Sequence, residues 1–404
     1  MSPSPAVRRP TSTYAPVTRK SSKLAAVSAV AALVAGLALS AQAAPVAAAD
    51  GSVAAPLREA GRTPGLQRAL DQLVEDGAPG ALLYSYDRGH VTALQSGFAD
   101  IAAGTPMVPW DRFRIGSLTK TYVSTAVLRL VAKHRVDLND PASRYLPHLL
   151  AGTPRITVRQ LLNHTSGLYE FNNDPRVLAP YLKGDLGHVW TPRRLVRVAL
   201  SHKSVSRPGA AFHYSNTNYL LAGLVVQAVT GHRLGDVLRR RVFSRANLSA
   251  TTFTPSRTLP APAAHGYYAF SSGDEPTDIT ALYPYPWASG AAVSTAPDVA
   301  RFYRRVLSGR LLPRRMMAAM RTTVDASSED GPGTAYGLGL ERFPTPCGPA
   351  WGHGGNFPGY ITYVYSSPNG SRQTVLLLNE DPASLGTTVG PSFMRLLNRA
   401  YCRS

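Results

Sequence analysis

The sequence predicts an α+β fold: an antiparallel sheet built from both ends of the chain, flanked by N- and C-terminal helices, with an all-helical domain inserted between. Three observations predict it. Strand-like segments come as hairpins with short turns rather than alternating with helices, which argues against a parallel doubly wound sheet. They cluster towards the two ends, at 80–98 and 360–378, whereas the middle, roughly 125–285, reads as helical. Amphipathic segments at 64–74 and 391–401 bracket the strands.

Taken in order, residues 1–49 carry Arg8, Arg9, Arg19, Lys20 and Lys23, no acid, and an apolar run from Leu24 to Leu39 followed by Ala41-Gln-Ala43. That is the pattern of a secretory signal peptide with a long basic n-region. Cleavage after Ala47-Ala-Ala49 fits equally, and an uncleaved membrane anchor is the alternative. Residues 50–62 read as a linker, and 63–402 as the folded domain. Leu66, Leu70, Leu73 and Val74 give Pro64–Val74 one apolar face. Gly80–Tyr86 and His90–Phe98 form a hairpin about Asp87-Arg-Gly89. After Ser117, Val123, Ala126, Val127, Leu130 and Val131 keep a helical period to about His134.

Short helices are expected at 141–149 and 157–162, then a long loop at 169–192. A helix at 192–201 has Thr191 as N-cap and Pro192 at its first position. Asn218–Val229 is apolar nearly all round, hence a buried helix, stopped at Gly231, and 233–243 is another helix. Trp287–Val293 is a small-residue turn and strand. Thr295-Ala-Pro-Asp298 reads as a capping box opening a helix to Leu307. Tyr360–Tyr365 and Gln373–Leu378 pair about Pro368-Asn-Gly370.

The net charge is +19, or +14 without residues 1–49. The basic residues are scattered, as in Arg239-Arg-Arg241 and Arg304-Arg305, and read as a solvated surface. With no zinc-finger spacing and no RNA-binding signature, a nucleic-acid partner is not expected; an anionic cell envelope suits an exported basic chain better. Cys347 and Cys402 are the only cysteines. In an exported chain they suggest one disulfide, with two free thiols as the alternative. Two cysteines cannot build a zinc site and there is no H-E-x-x-H, so no metal or cofactor is implied. A secreted monomer is expected.

The chemistry centres on Ser117-Leu-Thr-Lys120. Three apart on a helix, the hydroxyl and the amine share a face at its first turn. A serine needs a base to become a nucleophile, and a buried lysine is one that can lose its proton. With 37 Arg against six Lys, a lysine here is informative, because arginine cannot deprotonate. A capping serine before a surface lysine has the same spacing, so these four residues do not decide alone. Tyr214-Ser-Asn216 follows a Pro208-Gly209 turn. Beside a protonated lysine the Tyr214 pKa is expected to fall, making a phenolate base, and Asn216 can orient a substrate or hold Lys120. A packed tyrosine and a turn asparagine are the bland reading. His353-Gly354-Gly355-Asn356 sits at a strand start where glycines admit another backbone. There a substrate can add as a strand, the Asn356 and Ser117 amides can form an oxyanion hole, and His353 can supply positive charge or a hydrogen bond. Asn163–Leu168 reads as a structural loop beneath the site, with His164 unneeded as a base.

Ser117-x-x-Lys120, Tyr214-x-Asn216 and His353-x-Gly355, in this order and with these long gaps, resemble the three motifs of the penicillin-recognising serine hydrolases. Within them the chain resembles the class C β-lactamase branch, most of all the secreted D-alanyl-D-alanine carboxypeptidases of high-GC Gram-positive bacteria, over about residues 60–402. The resemblance implies a β-lactamase/transpeptidase-like fold and acyl transfer. Ser117 attacks, Lys120 and Tyr214 share the proton, Asn216 orients, and the oxyanion lies between the Ser117 and Asn356 amides. It also implies D-Ala-D-Ala-ended cell-wall peptides as substrates and β-lactams as inhibitors or substrates. The Cys347–Cys402 pairing fits that branch. One departure stands out: those carboxypeptidases have Thr where this chain has Gly354, and Arg342 is the one nearby candidate to hold a substrate carboxylate, with Glu341 beside it. Esterase, D-aminopeptidase and β-lactamase activities therefore remain alternatives, and a non-catalytic envelope-binding protein a remote one.

Overall fold

The computed structural model describes residues 63–269, 275–380 and 389–403; the expected leader and linker lie outside them. Helix α1 (Thr63–Glu75) leads into strands β1 (Gly80–Asp87), β2 (His90–Asp100) and β3 (Thr105–Pro106). The first hairpin closes at Asp87 and His90 with Arg88 and Gly89 both at positive φ, 46° and 106°, the two-residue turn that matches strand twist. After residue 323 come β4 (Val324–Asp325), β5 (Ala335–Tyr336), β6 (Glu341–Phe343), β7 (Ala350–Phe357), β8 (Tyr360–Ser366) and β9 (Arg372–Leu378). The strands form one antiparallel sheet in the order β3-β2-β1-β9-β8-β7-β6-β5-β4. Its centre joins the two ends of the chain, with Leu83 opposite Leu376, as the hairpins predict.

Four further helices matter for the site: α2 (Thr119–Val131), α3 (Asn216–Thr230), α4 (Ala296–Leu307) and α5 (Val389–Arg403). Strand alternation sorts the sheet residues between two cores. Ala81, Leu83, Leu376 and Leu378 meet Leu70 and Leu73 of α1 and Phe393 and Leu397 of α5. Leu82, Val375 and Leu377 point the other way, towards α4 and the large core that includes α2 and α3. Each fully buried side chain of this kind stabilises the fold by roughly 1.5–3 kcal/mol. Cys347 and Cys402 form a disulfide that ties the β6–β7 connection to the end of α5. No helix among the described residues is long and apolar enough to cross a membrane.

Several expectations change. Helix α2 is not amphipathic: every residue except Arg129 is buried, so the helix that follows Ser117 runs through the core. The inserted region is not all helical, since Tyr267–Tyr268 pairs with Thr277–Asp278. The expected loop at 169–192 contains a helix, Pro175–Leu182, whose N-cap Asp174 accepts from the Arg176 amide; Pro180 inside it disguises the pattern. Thr295 caps α4, but Asp298 turns its carboxylate to the Ala250 amide and the Thr251 hydroxyl. It is a single cap rather than a reciprocal box; the reciprocal pair is Thr157 with Gln160.

Candidate active site

Ser117 lies in a 3-10 turn, Gly116–Leu118, that runs directly into α2. Lys120 follows one turn later, and its Nζ is 2.8 Å from Ser117 Oγ. Lys120 is fully buried. Its Nζ has two other partners, Asn216 Oδ1 at 2.7 Å and the Ser289 carbonyl at 2.9 Å. Burial lowers its pKa to about 7, against the charges of Glu170 and Glu341, which raise it. Nζ is the donor in all three contacts, to Ser117 Oγ, Asn216 Oδ1 and the Ser289 carbonyl. When the ammonium loses a proton, the nitrogen already lies within reach of the Ser117 hydroxyl.

Asn216 is the first residue of α3. Its backbone N–H and its Nδ2 both donate to the buried carboxylate of Glu170, the latter at 3.1 Å to Oε1. Sequence reasoning missed Glu170, although it stands two residues beyond the Asn163–Leu168 loop. It missed Ser289 as well, because a carbonyl partner leaves no trace in residue type.

Tyr214 lines the cleft with Ser117 and Asn216, and Lys120 Nζ lies 4.8 Å from its ring centroid. The expected fall in its pKa is reversed. Burial and the charge of Glu341 push the phenol well above its ordinary value, a hydrogen bond with Ser117 acting the other way. Tyr214 is thus a proton donor, not a phenolate, in the free protein. His164 stacks on it at 4.2 Å and accepts from the Ser215 amide at 3.1 Å. Burial holds His164 well below its ordinary pKa, so it supports the Tyr214 ring, as the structural reading has it.

Strand β7 lies against the turn that carries Ser117, and two glycines make this possible. A Cβ at Gly355 would fall 2.3 Å from the Ile115 carbonyl, and one at Gly116, whose φ is +51°, 2.5 Å from the Asn356 carbonyl. The β7–β8 hairpin closes at Phe357 and Tyr360. Antiparallel alternation then turns the Gly354 and Asn356 N–H groups away from β8, and Gly354 N does donate outward, to Glu341 Oε2 at 3.2 Å. Because β6 pairs only with residues 350–352, no strand among the described residues lies beside the rest of this edge. The Asn356 amide therefore points from an open strand edge packed against the Ser117 turn.

Two expected roles are corrected. His353 is fully buried and does not line the cleft. Its Nε2 is 2.8 Å from the Tyr336 hydroxyl and its Nδ1 is 3.1 Å from Glu341 Oε1. Burial, then the Lys120 charge, lower its pKa to about 3, so it brings hydrogen bonds and no positive charge. Arg342 is exposed and absent from the cleft wall; strand alternation turns its neighbours Glu341 and Phe343 inward in its place.

The cleft, about 160 Å³, is lined by Ser117, Tyr214, Asn216, Gly355 and Asn356 together with Asp330 and Glu341. A serine next to a buried lysine whose pKa is lowered to about 7, at the strand edge of an antiparallel sheet, defines a serine hydrolase of the β-lactamase/transpeptidase fold. Residues 66–394 match the family model described as Beta-lactamase, and the chain belongs to that family. It is similar to penicillin-binding protein 4 of Amycolatopsis lactamdurans, 26% identical over 330 residues, 78% of this chain and 84% of that protein. Among solved structures, a D-stereospecific amidohydrolase from Streptomyces sp. superposes with a TM-score of 0.75 at 34% identity, covering 84% of this chain and 98% of that one. The D-amino acid amidase of Ochrobactrum anthropi SV3, complexed with L-phenylalanine, gives 0.74 at 27%, covering 83% and 96%.

Proposed function

We propose that Ser117 carries the acyl-enzyme in hydrolysis of a small amide or peptide built on D-amino acids. The observation that carries this reading is the 2.8 Å contact between Ser117 Oγ and a lysine whose pKa is about 7. Lys120 takes the Ser117 proton as Oγ attacks the carbonyl carbon. The oxyanion is held by the amides of Ser117 and Asn356. As the C–N bond breaks, Tyr214 protonates the leaving amine and recovers its proton from Lys120. Water then adds to the ester with its proton going to Lys120, and as the C–Oγ bond breaks Lys120 returns that proton to Ser117 Oγ, releasing the acid and restoring both residues. The amidases among the similar structures support amide substrates. The test is intact mass during turnover of a D-aminoacyl p-nitroanilide. An adduct mapped to Ser117 and absent from S117A is expected; turnover without it would overturn the reading.

The D-alanyl-D-alanine carboxypeptidase is the second reading, supported by the similarity to a penicillin-binding protein. It needs a cation for the terminal carboxylate, the place for which Arg342 was the candidate. Release of D-Ala from a D-Ala-D-Ala-ended peptide would favour it over the first. An esterase or a β-lactamase would use the same residues and differ in substrate; a non-catalytic binding protein requires that no probe acylates Ser117. Export after removal of residues 1–49, an association with the cell envelope and a monomeric state complete the proposal. N-terminal sequencing of the exported chain and light scattering test them.

A further inference from the structure

We propose that Glu329 is a positioning residue for Tyr214: from the loop between β4 and β5 its carboxylate fixes the backbone that carries the phenol, so that proton delivery to the leaving amine depends on a residue outside the cleft, an inference that rests on the acyl-enzyme reading of Ser117.

Tyr214 lies in neither helix nor strand. The chain is irregular from Phe212 to Ser215 and turns helical at Asn216. No ladder or helical bond takes up the N–H groups there, so each needs an acceptor from elsewhere. Three side chains supply them in succession. The Tyr214 amide donates to Glu329 Oε2 at 2.8 Å, the Ser215 amide to His164 Nδ1 at 3.1 Å, and the Asn216 amide to Glu170 Oε2. Two of these acceptors are carboxylates, which hold an N–H more strongly than a neutral acceptor does. Glu329 alone of the three comes from a connection between strands of the sheet.

Glu329 is itself held. Its Oε1 lies 3.0 Å from Nδ1 of His213. A carboxylate only accepts, so Nδ1 carries the proton and donates. One carboxylate thus grips the His213 ring and the next residue's amide together. The loop that bears it is closed where the Ala326 amide donates to the Thr334 carbonyl at 3.1 Å. Ser327 Oγ tightens it, donating to Asp325 Oδ1 at 2.6 Å and accepting from the Gly333 amide at 3.1 Å. Ala326 packs with Phe212 and Tyr336 in a small cluster against which Tyr214 rests.

The ring has separate supports. His164 stacks on it at 4.2 Å and Lys120 Nζ lies 4.8 Å from its centroid. A stacked face fixes the plane of a ring but lets it slide within that plane. Where the hydroxyl stops then depends on the Tyr214 backbone, and so on Glu329. Glu329 does not line the cleft and acts only through Tyr214. Its side chain is 29% exposed, so water can take its place on the amide. Losing it should move Tyr214 without unfolding the protein.

The experiment compares kcat/KM for D-phenylalaninamide and for the p-nitrophenyl ester of D-phenylalanine. The amine needs the Tyr214 proton to leave, and p-nitrophenolate does not. E329A is expected to lower the amide value by about 10- to 100-fold, the cost of a small misplacement, and the ester value by about threefold or less. A glutamine at this position can still accept from the Tyr214 amide, while its NH2 donates to the other tautomer of His213. E329Q is therefore expected to recover the amide value to within about threefold of wild type. In a Y214F background E329A should cost the amide nothing more, because residues that act as a unit are not additive. Wild-type fluorophosphonate labelling of Ser117 in E329A shows that the nucleophile is intact.

An equal loss on amide and ester in E329A would overturn the proposal, as would an unchanged amide value. A full further loss in the double variant would overturn it too. If no substrate leaves an acyl group on Ser117 of the wild type, the acyl-enzyme reading falls and this role with it. Acylation of Ser117 with no amide-specific loss in E329A rejects Glu329 alone.

Discussion

Asn216 gives both its backbone N–H and its Nδ2 to the single carboxylate of Glu170, which decides that its Oδ1 faces Lys120, at 2.7 Å. A carboxylate accepts through both oxygens. A glutamine there accepts through only one and sets an NH2 group against one of the Asn216 donors. E170Q is therefore expected to loosen the Asn216 amide and lower kcat by about 10- to 100-fold, a share of the proton-transfer step, with KM nearly unchanged. E170A should further cost about 1–3 kcal/mol in urea unfolding, from buried donors without acceptors. Wild-type kcat in E170Q would show that either acceptor geometry suffices.

The pH profile follows from Lys120. With an uncharged ester lacking an amino group, kcat/KM should rise as Lys120 loses its proton, with a midpoint of about 7. The charges of Glu170 and Glu341 raise that value, so E170Q and E341Q should each move the midpoint to lower pH. Asp330, raised to about 7, titrates in the same window; D330N should leave the midpoint in place if Lys120 is the group observed. Tyr214 stays protonated above its ordinary value of 10.0, so the falling limb belongs above that pH. A midpoint at the ordinary lysine value of 10.5 would remove Lys120 from the role of base.

What the sequence discloses about this site divides along physical lines. Ser117 and Lys120 could be paired because helical periodicity is local and a three-residue spacing fixes a shared face. The hairpins at 80–98 and 360–378 were legible because period-two alternation and turn residues are local too. Glu170 was not, because its partner lies 46 residues away and only the fold brings them together. Arg342 was chosen over Glu341 by charge, whereas the outcome depends on which of two adjacent residues a three-residue strand turns inward. The charges of His353 and Tyr214 follow from burial, which residue type does not state.

Gly354 and Gly355 of β7 should behave differently. A Cβ at Gly355 would meet backbone, the Ile115 carbonyl, and Leu118 Cδ1 at 2.7 Å, while one at Gly354 would meet the far end of the Tyr363 ring at 2.8 Å. A tyrosine ring can swing; the turn that carries Ser117 cannot move without moving the nucleophile. G355A is expected to destabilise by about 1–3 kcal/mol through overpacking. A displaced nucleophile should also slow fluorophosphonate labelling of Ser117 by about a hundredfold. G354A should show the smaller loss in both. The reverse order, by thermal melting and labelling rate, would mean that β7 does not set the position of the Ser117 turn.

Tyr214 separates amide from ester chemistry. Its phenol is held protonated by burial and Glu341 and faces Ser117, which suits donation to a leaving group. An amine leaves as a strong base and needs that proton; p-nitrophenolate leaves without one. Y214F keeps the ring stacked on His164 and removes only the hydroxyl. It is expected to lower turnover of an amide by about 10²–10³-fold and of the matching p-nitrophenyl ester by about tenfold or less. Burst kinetics with the ester should persist, because Lys120 remains to take the Ser117 proton. If Y214F lowers both substrates by the same large factor, Tyr214 acts on the attack of Ser117 rather than on the departure of the amine, and the assignment of base passes from Lys120 alone to the pair.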